Sequence, residues 1–318
     1  VHSIPHEGAG VTWAKIILFG EHSVVYGHPA LALPLHSLRM RARVMPLSEG
    51  PSMLRGLGYD GPLDASGPRF GSIRRAVETA LDYAGHPEAA LAIETVSDFP
   101  PERGLGSSAA SAGAVIRAVL NAYDIPARGQ QLFELTQVAE QVAHGHPSGL
   151  DAVATAARGP ISFHSGHMSL VPMNLSSHIV VADSGIHGST REAVGGVRSR
   201  YERDHERIGQ ILVSLGDLAR GALHDLRVGD AAAIGDRMNA AQDLLTDLGV
   251  SNRRLNALVR AARDAGALGA KLTGGGLGGC MIALAGTAEA AELIRVGLRR
   301  AGAARIWVHS PVASEVVA

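Results

Sequence analysis

The sequence predicts a mixed α/β (α+β) fold in two domains, and three observations carry that prediction. Short apolar runs rich in β-branched residues alternate with longer segments of helical spacing up to about residue 176. From residue 178 the texture changes to a long helical stretch high in Arg, Asp and Ala, followed by short apolar runs around one more helix. A length of 318 residues, at roughly 100–200 per domain, suits two cores better than one. The domains are therefore expected at residues 1–176 and 177–318.

The elements follow in order. Residues 11–19 (VTWAKIILF) read as a strand, and residues 30–35 and 39–46 as two more. Residues 50–67 carry the glycines and prolines of a loop region. Residues 73–83 place Ile73, Val77, Ala80 and Leu81 on one helical face, and residues 91–96 form a strand. Helices are expected over 107–123 and 128–144, with short strands at 160–164 and 169–171. Residues 179–182 are a strand. Residues 189–266 are mostly helical and open on Ser189 and Glu192 in capping-box spacing. Residues 270–272, 281–285 and 305–308 read as strands, with a helix over 288–300.

Composition narrows the function. With 46% hydrophobic and 19% charged residues the chain is globular and not disordered. A net charge of −1 offers no general field for nucleic acid or an anionic membrane, although a local basic pocket for a small anion is compatible with it. Cys280 is the single cysteine, which excludes an internal disulfide and a four-cysteine zinc site and fits a reducing cytoplasm. No apolar run approaches the roughly 20 residues of a membrane span, and residues 1–15 lack the apolar core of a signal peptide.

Four segments carry chemistry. Residues 101–113, PERGLGSSAASAG, open a helix with glycines, then hydroxyls, then small residues. A helix N-terminus offers unpaired N–H groups and partial positive charge, so a phosphate binds there if the backbone comes close. Gly104 and Gly106 permit that approach, Ser107 and Ser108 supply hydroxyls for capping, phosphate or metal, and the alanines allow tight packing. A plain glycine turn with a serine cap fits the same letters. The segment is no Walker A loop, since no Gly-Lys-Ser/Thr follows. Gly104-x-Gly106-x-x-Ala109 also fails as a dinucleotide fingerprint, because the required second strand is missing. Gly274-x-Gly276-x-x-Gly279 fails too, since it precedes a strand.

Residues 14–32 place Lys15 in an otherwise apolar strand, either snorkelling or held for a charged partner. Gly20-Glu21-His22 ends that strand with two titratable groups, or is simply a polar turn. Residues 140–152 put Glu140 near a helix end and Asp151 after a Pro-Ser-Gly turn, as general base or as helix cap. His144 and His146 raise a metal site as a lesser alternative, against which stand the lack of a nearby cysteine and of an HExxH pattern. Residues 270–285 contain five glycines in the six positions 274–279, a flexibility that calls for close approach to phosphate, substrate or a neighbouring loop. Cys280 reads as a small buried apolar residue and not as a nucleophile.

The three signatures at residues 15–32, 101–110 and 271–280 together resemble the GHMP kinase superfamily, in family order and across nearly the whole chain. Within it the similarity is greatest to the mevalonate kinase family, through residues 20–27 (GEHSVVYG), 144–151 (HGHPSGLD) and 189–192 (STRE). Trp13-Ala14 departs from the usual Pro-Gly, and Glu102-Arg103 stands where a glycine and a small residue are typical. Gly275 and Leu277 alter the third signature slightly. The resemblance implies an N-terminal ribosomal-protein-S5-like domain, a C-terminal ferredoxin-like domain and an active site in the cleft. It implies ATP- and Mg²⁺-dependent phosphorylation of the 5-hydroxyl of mevalonate, in isoprenoid precursor synthesis.

By the same resemblance, Pro101, Glu102, Arg103, Gly104, Leu105, Gly106, Ser107, Ser108 and Ala109 bind ATP, and Ser108 and Glu140 hold Mg²⁺. Asp151 orients the acceptor hydroxyl or takes its proton, with Lys15 keeping Asp151 ionised. Glu21, His22, Thr190, Thr273, Gly274, Gly275 and Gly276 join Lys15 and Asp151 around the substrate. The expected partners are mevalonate and ATP, with no nucleic acid and no membrane, and a homodimer is left open. A sibling kinase acting on phosphomevalonate or a sugar is the nearest alternative, and a non-catalytic ligand sensor on the same fold is a more distant one.

Overall fold

The computed structural model describes residues 5–126, 129–144 and 147–310. Within these the chain forms two compact units that interleave along the sequence. The first comprises residues 5–15, 34–101 and the described residues of 106–157; the second comprises residues 16–33, 102–105 and 158–310. Strand β1 (Gly8–Phe19) runs from the first unit into the second, and β2 (Ala30–Leu47) runs back.

Where two strands were expected over 30–46, β2 is one strand of 18 residues. Its burial explains the reading: residues 30–35 are all buried, and beyond Ser37 buried and open residues alternate, as on a sheet with one covered face. The change of pattern, with Pro34 beside it, resembles a boundary. The expected loop over 50–67 instead holds a hairpin of β3 (Met53–Gly56) and β4 (Tyr59–Pro62). Leu57 and Gly58 turn it, both at positive φ (51° and 82°), which is the backbone of a two-residue hairpin loop.

In the first unit β5 (Ala90–Ser97) pairs antiparallel with β2, setting Arg43 opposite Glu94, and parallel with β3. Helices α1 (Gly71–Ala84), α2 (Ser107–Ala122), α3 (Gly129–His144) and α4 (Leu150–Ala154) pack on one another. The expected start of α3 at Arg128, and Gly145 and His146 after it, lie outside the described residues. The run of small residues in α2 has a clear use. Gly8 and Gly10 of β1 press so close to the backbone at Ala114, Ala118 and Ala122 that a Cβ at either glycine would collide with it. Ala110, Ala114, Ala118 and Ala122 are correspondingly fully buried.

The second unit contains the hairpin β6 (Ile161–His164) and β7 (His167–Leu170), with β6 paired to residues 30–32 of β2. Its own sheet is antiparallel, in the order β11 (Arg305–His309), β8 (His178–Asp183), β10 (Cys280–Ala285), β9 (Gly269–Leu272). The helical stretch resolves into α5 (Thr190–Arg203), α6 (His205–Val228), α7 (Ala231–Asp247) and α8 (Arg253–Asp264), followed by α9 (Ala288–Arg300). Each starts on a polar cap whose side chain accepts a backbone N–H three residues on: Ser189, Asp204, Asp230, Asn252 and Thr287. Such caps satisfy the orphan donors of a helix start. Leu255, Leu258, Val259 and Ala262 form the apolar face of α8, which packs on β9 and β10.

Candidate active site

In the first unit, Lys15, Asp151, Ser108 and Glu140 form two contacts. Lys15 is 2% exposed, and a buried ammonium needs a partner. It finds Asp151 Oδ1 at 2.9 Å. The Asp151 side chain keeps 38% of its surface open, so the same carboxylate also reaches solvent. Local structure arranges this pair. The Trp13 N–H on β1 donates to the Thr155 carbonyl (2.9 Å), which registers the strand against the end of α4. Gly106, the residue before α2, sits at φ 75°, and a Cβ there would lie 2.9 Å from Lys15 Cγ and Cε and from Thr155 Cγ2. The glycine therefore leaves the room that the lysine stem occupies.

Glu140 on α3 is buried, and its Oε1 accepts from Ser108 Oγ at 2.5 Å and from Ser72 Oγ at 3.0 Å. Two hydroxyl donors satisfy one oxygen of this buried carboxylate. Among the described residues no group of three His, Cys, Asp or Glu forms a metal cage. One hydroxyl and one carboxylate still suit Mg²⁺, which takes few protein ligands and fills its octahedron with water and phosphate oxygens.

In the second unit the first and third signatures are stitched together. Thr273 Oγ1 accepts from the Ile17 N–H (2.8 Å) and donates to the Ile17 carbonyl (3.0 Å). Lys271 Nζ, fully buried on β9, pairs with Glu21 Oε1, itself 1% exposed, and donates to the Leu272 carbonyl at 2.8 Å. Burial pushes the Lys271 ammonium below its ordinary value, while the charge and hydrogen bond of Glu21 pull it back up. His22 holds a backbone at φ 61°, and its Nε2 lies 2.9 Å from the Gly275 carbonyl. Burial lowers His22 to about 4, helped by the Arg200 charge and opposed by the Gly275 bond. The ring is therefore neutral near pH 7. Since a carbonyl only accepts, Nε2 carries the proton.

The glycine signature also meets α5: a Cβ on Gly275 would lie 3.0 Å from Thr190 Cα. Residues 102–105 belong to this unit as well. Arg103 Nε pairs with Asp183 Oδ2 at 3.1 Å, and Glu102 pairs with His187 at 3.0 Å. Glu102 has φ 58°, a left-handed position that favours glycine, so the departure from the family letter costs some backbone strain. The side chains of Leu105 and Ala109 are fully buried, and Cys280 is a buried residue of β10.

The structure thus brings Lys15 to Asp151 and Ser108 to Glu140 in one unit, and Glu21, His22, Thr273, Gly275 and Thr190 together in the other. Lys271, Ser72, Thr155 and Asp183 are additional members that sequence reasoning left without a role. Lys271 gave one signal: a charged residue inside the otherwise apolar strand letters of β9. The other three are ordinary letters in ordinary places.

Two family descriptions match the sequence: "GHMP kinases N terminal domain" over residues 72–159 and "GHMP kinases C terminal" over residues 219–304. The mevalonate kinase of Pyrococcus abyssi is 35% identical over 297 residues, covering 86% of this chain and 87% of that protein. The mevalonate kinase of Methanothermobacter thermautotrophicus is 31% identical over 276 residues, covering 85% and 88%. Among solved structures, L. major mevalonate kinase in complex with R-mevalonate aligns with a TM-score of 0.85 at 27% identity, covering 99% of this chain and all of that one. Mevalonate kinase from methicillin-resistant Staphylococcus aureus aligns with a TM-score of 0.71 at 29% identity, covering 96% and 99%.

Proposed function

Because this chain belongs to the GHMP kinase family, we propose that it phosphorylates the 5-hydroxyl of mevalonate with ATP and Mg²⁺. The acceptor oxygen attacks the γ-phosphorus, the bond to the β,γ-bridging oxygen breaks, and ADP leaves with the charge. Such transfers depend mainly on positioning and charge stabilisation. The observation that carries the reading is the Lys15–Asp151 pair, a buried ammonium at 2.9 Å from a half-open carboxylate. Asp151 orients the acceptor hydroxyl and receives its proton, and the Lys15 ammonium holds the Asp151 carboxylate in place and steadies the attacking oxygen.

Ser107, Ser108 and the main chain at Gly104 and Gly106 are assigned to the triphosphate. Ser108 and Glu140 would hold Mg²⁺, which when bound neutralises charge on the phosphate oxygens. Their chemistry fits: a hydroxyl and a buried carboxylate already meet at 2.5 Å. Glu21, His22, Thr190, Thr273 and Gly274–Gly276 are assigned to the substrate pocket. His22 acts there as a neutral group with its Nε2 proton committed to Gly275.

The test is coupled ADP release across a panel of acceptors (mevalonate, phosphomevalonate, galactose, homoserine) with ATP and magnesium. Mevalonate should be the preferred acceptor. The Asp151→Asn variant should bind ATP as the parent does and lose roughly 10²–10⁴-fold in turnover. Parent-rate turnover by that variant would remove Asp151 from the mechanism, and preference for another acceptor would remove mevalonate.

A further inference from the structure

Asp151 rides on α4, a helix of five residues. A helix that short has no independent stability in water, so its carboxylate stays aimed only if the segment is held from outside. Besides its packing on α2 and α3, the helix is held at its C-terminal side. Thr155 donates twice to the Asp151 carbonyl, through its N–H (3.1 Å) and its Oγ1 (2.9 Å). The Trp13 N–H in turn donates to the Thr155 carbonyl. Two residues further on, His36 Nε2 on β2 lies 3.0 Å from the Ala157 carbonyl. A carbonyl accepts, so His36 is the donor. The His36 ring stands edge-on to the Trp13 indole, with centroids 4.6 Å apart and planes at 78°. This is a favourable aromatic arrangement that fixes the ring's orientation.

We propose that His36 is a positioning residue for phosphoryl transfer. By tying the Ala157 carbonyl to β2, with the Trp13 indole steadying its ring, it anchors the end of α4 and so keeps Asp151 on Lys15. This rests on the assignment of Asp151 as the group that orients the acceptor hydroxyl. His36 lies outside the three signatures, and Trp13 stands where the resemblance expects Pro-Gly. The resemblance therefore assigns neither residue a role. Trp13 and Lys15 are two apart on one strand, so they share a face. The same three residues of β1 thereby supply both the main-chain tie to Thr155 and the ammonium for Asp151.

The test separates the ring from its donor. His36→Phe keeps an aromatic edge against Trp13 and removes the N–H, whereas His36→Gln restores an N–H. Phe should lower kcat about fivefold to tenfold while KM for ATP and for mevalonate stays within about twofold, and Gln should recover most of the loss. In an Asp151→Asn background the Phe change should cost nothing further, because both act through one group. Should His36→Phe fail to fold by circular dichroism, Trp13→Phe carries the same expectation, since it keeps the main-chain bond and shortens the wall beside the His36 ring. The proposal is overturned if kcat is unchanged, if both KM values rise with kcat intact, or if the loss is equally large in the Asp151→Asn background. If Asp151→Asn alone runs at the parent rate, the Asp151 assignment falls and takes this one with it.

Discussion

Acidification should weaken the fold through His22, and the size of the effect follows from its burial. The ring's value falls from 6.5 to about 4 because charging it in place means placing a cation in a dry site near Arg200, and the Gly275 bond offsets this only in part. The folded protein therefore binds fewer protons than the unfolded chain between those two values. The contribution is fully present above 6.5 and is lost as pH falls from there through about 4. At 1.36 kcal/mol per pKa unit the whole effect is about 3 kcal/mol, of which about 2 kcal/mol is lost between about pH 7 and about pH 5. Other groups titrate over that range, so the quantity to measure is a difference. Urea unfolding of the parent and of His22→Gln, each near pH 7 and near pH 5, isolates it, because Gln offers an N–H to Gly275 and does not titrate. The parent should lose about 2 kcal/mol more than the variant on acidification. Equal losses within about 0.5 kcal/mol would refute the buried, neutral ring. So would a His22 resonance titrating near its ordinary value in an NMR series.

Two further outcomes follow from the buried carboxylates. Glu140→Gln, which leaves an amide between Ser72 and Ser108, should move the magnesium titration of activity to higher concentration by roughly tenfold or more, and an unmoved midpoint would detach Glu140 from the metal. Lys271→Met strands the Glu21 charge in a dry site and should cost about 3–5 kcal/mol in chemical denaturation, whereas the double change with Glu21→Gln should recover much of it. Additive costs in that cycle would mean the two side chains do not stabilise one another.

What the sequence revealed and what it concealed divide along one physical line. Local chemistry was legible. The glycines, hydroxyls and alanines of residues 101–113 announced a helix start with a close-packed flank, and α2 begins at Ser107 with β1 pressed on its alanines. Ser189 and Glu192 announced a cap, and Ser189 accepts the Glu192 N–H. Where local letters point two ways, they mislead. Pro34 and the change of alternation beside it split β2 into two expected strands, although one strand covered first on both faces and then on one produces the same letters. The hairpin at Leu57-Gly58 looked like a loop because its strands are four residues each and rich in turn formers.

Pairings across the chain left no local trace of the partner. Lys15 showed only that it wanted a partner; nothing near it in sequence named Asp151. Glu21 and Lys271 are 250 positions apart; alone, one reads as a charge ending a strand and the other as a charge within one. Yet the energetics of the site rest on these pairings, since a buried ammonium is tolerable only beside its carboxylate. Resemblance to a family closes that gap by supplying the partners in advance, but only for the letters the family shares. Trp13 and His36 lie outside the three signatures and still bear on how the end of α4 is held. Departures from a family pattern are therefore where the structure adds most: they mark residues whose role neither local propensity nor shared motif can assign, and whose contacts must be read from the fold itself.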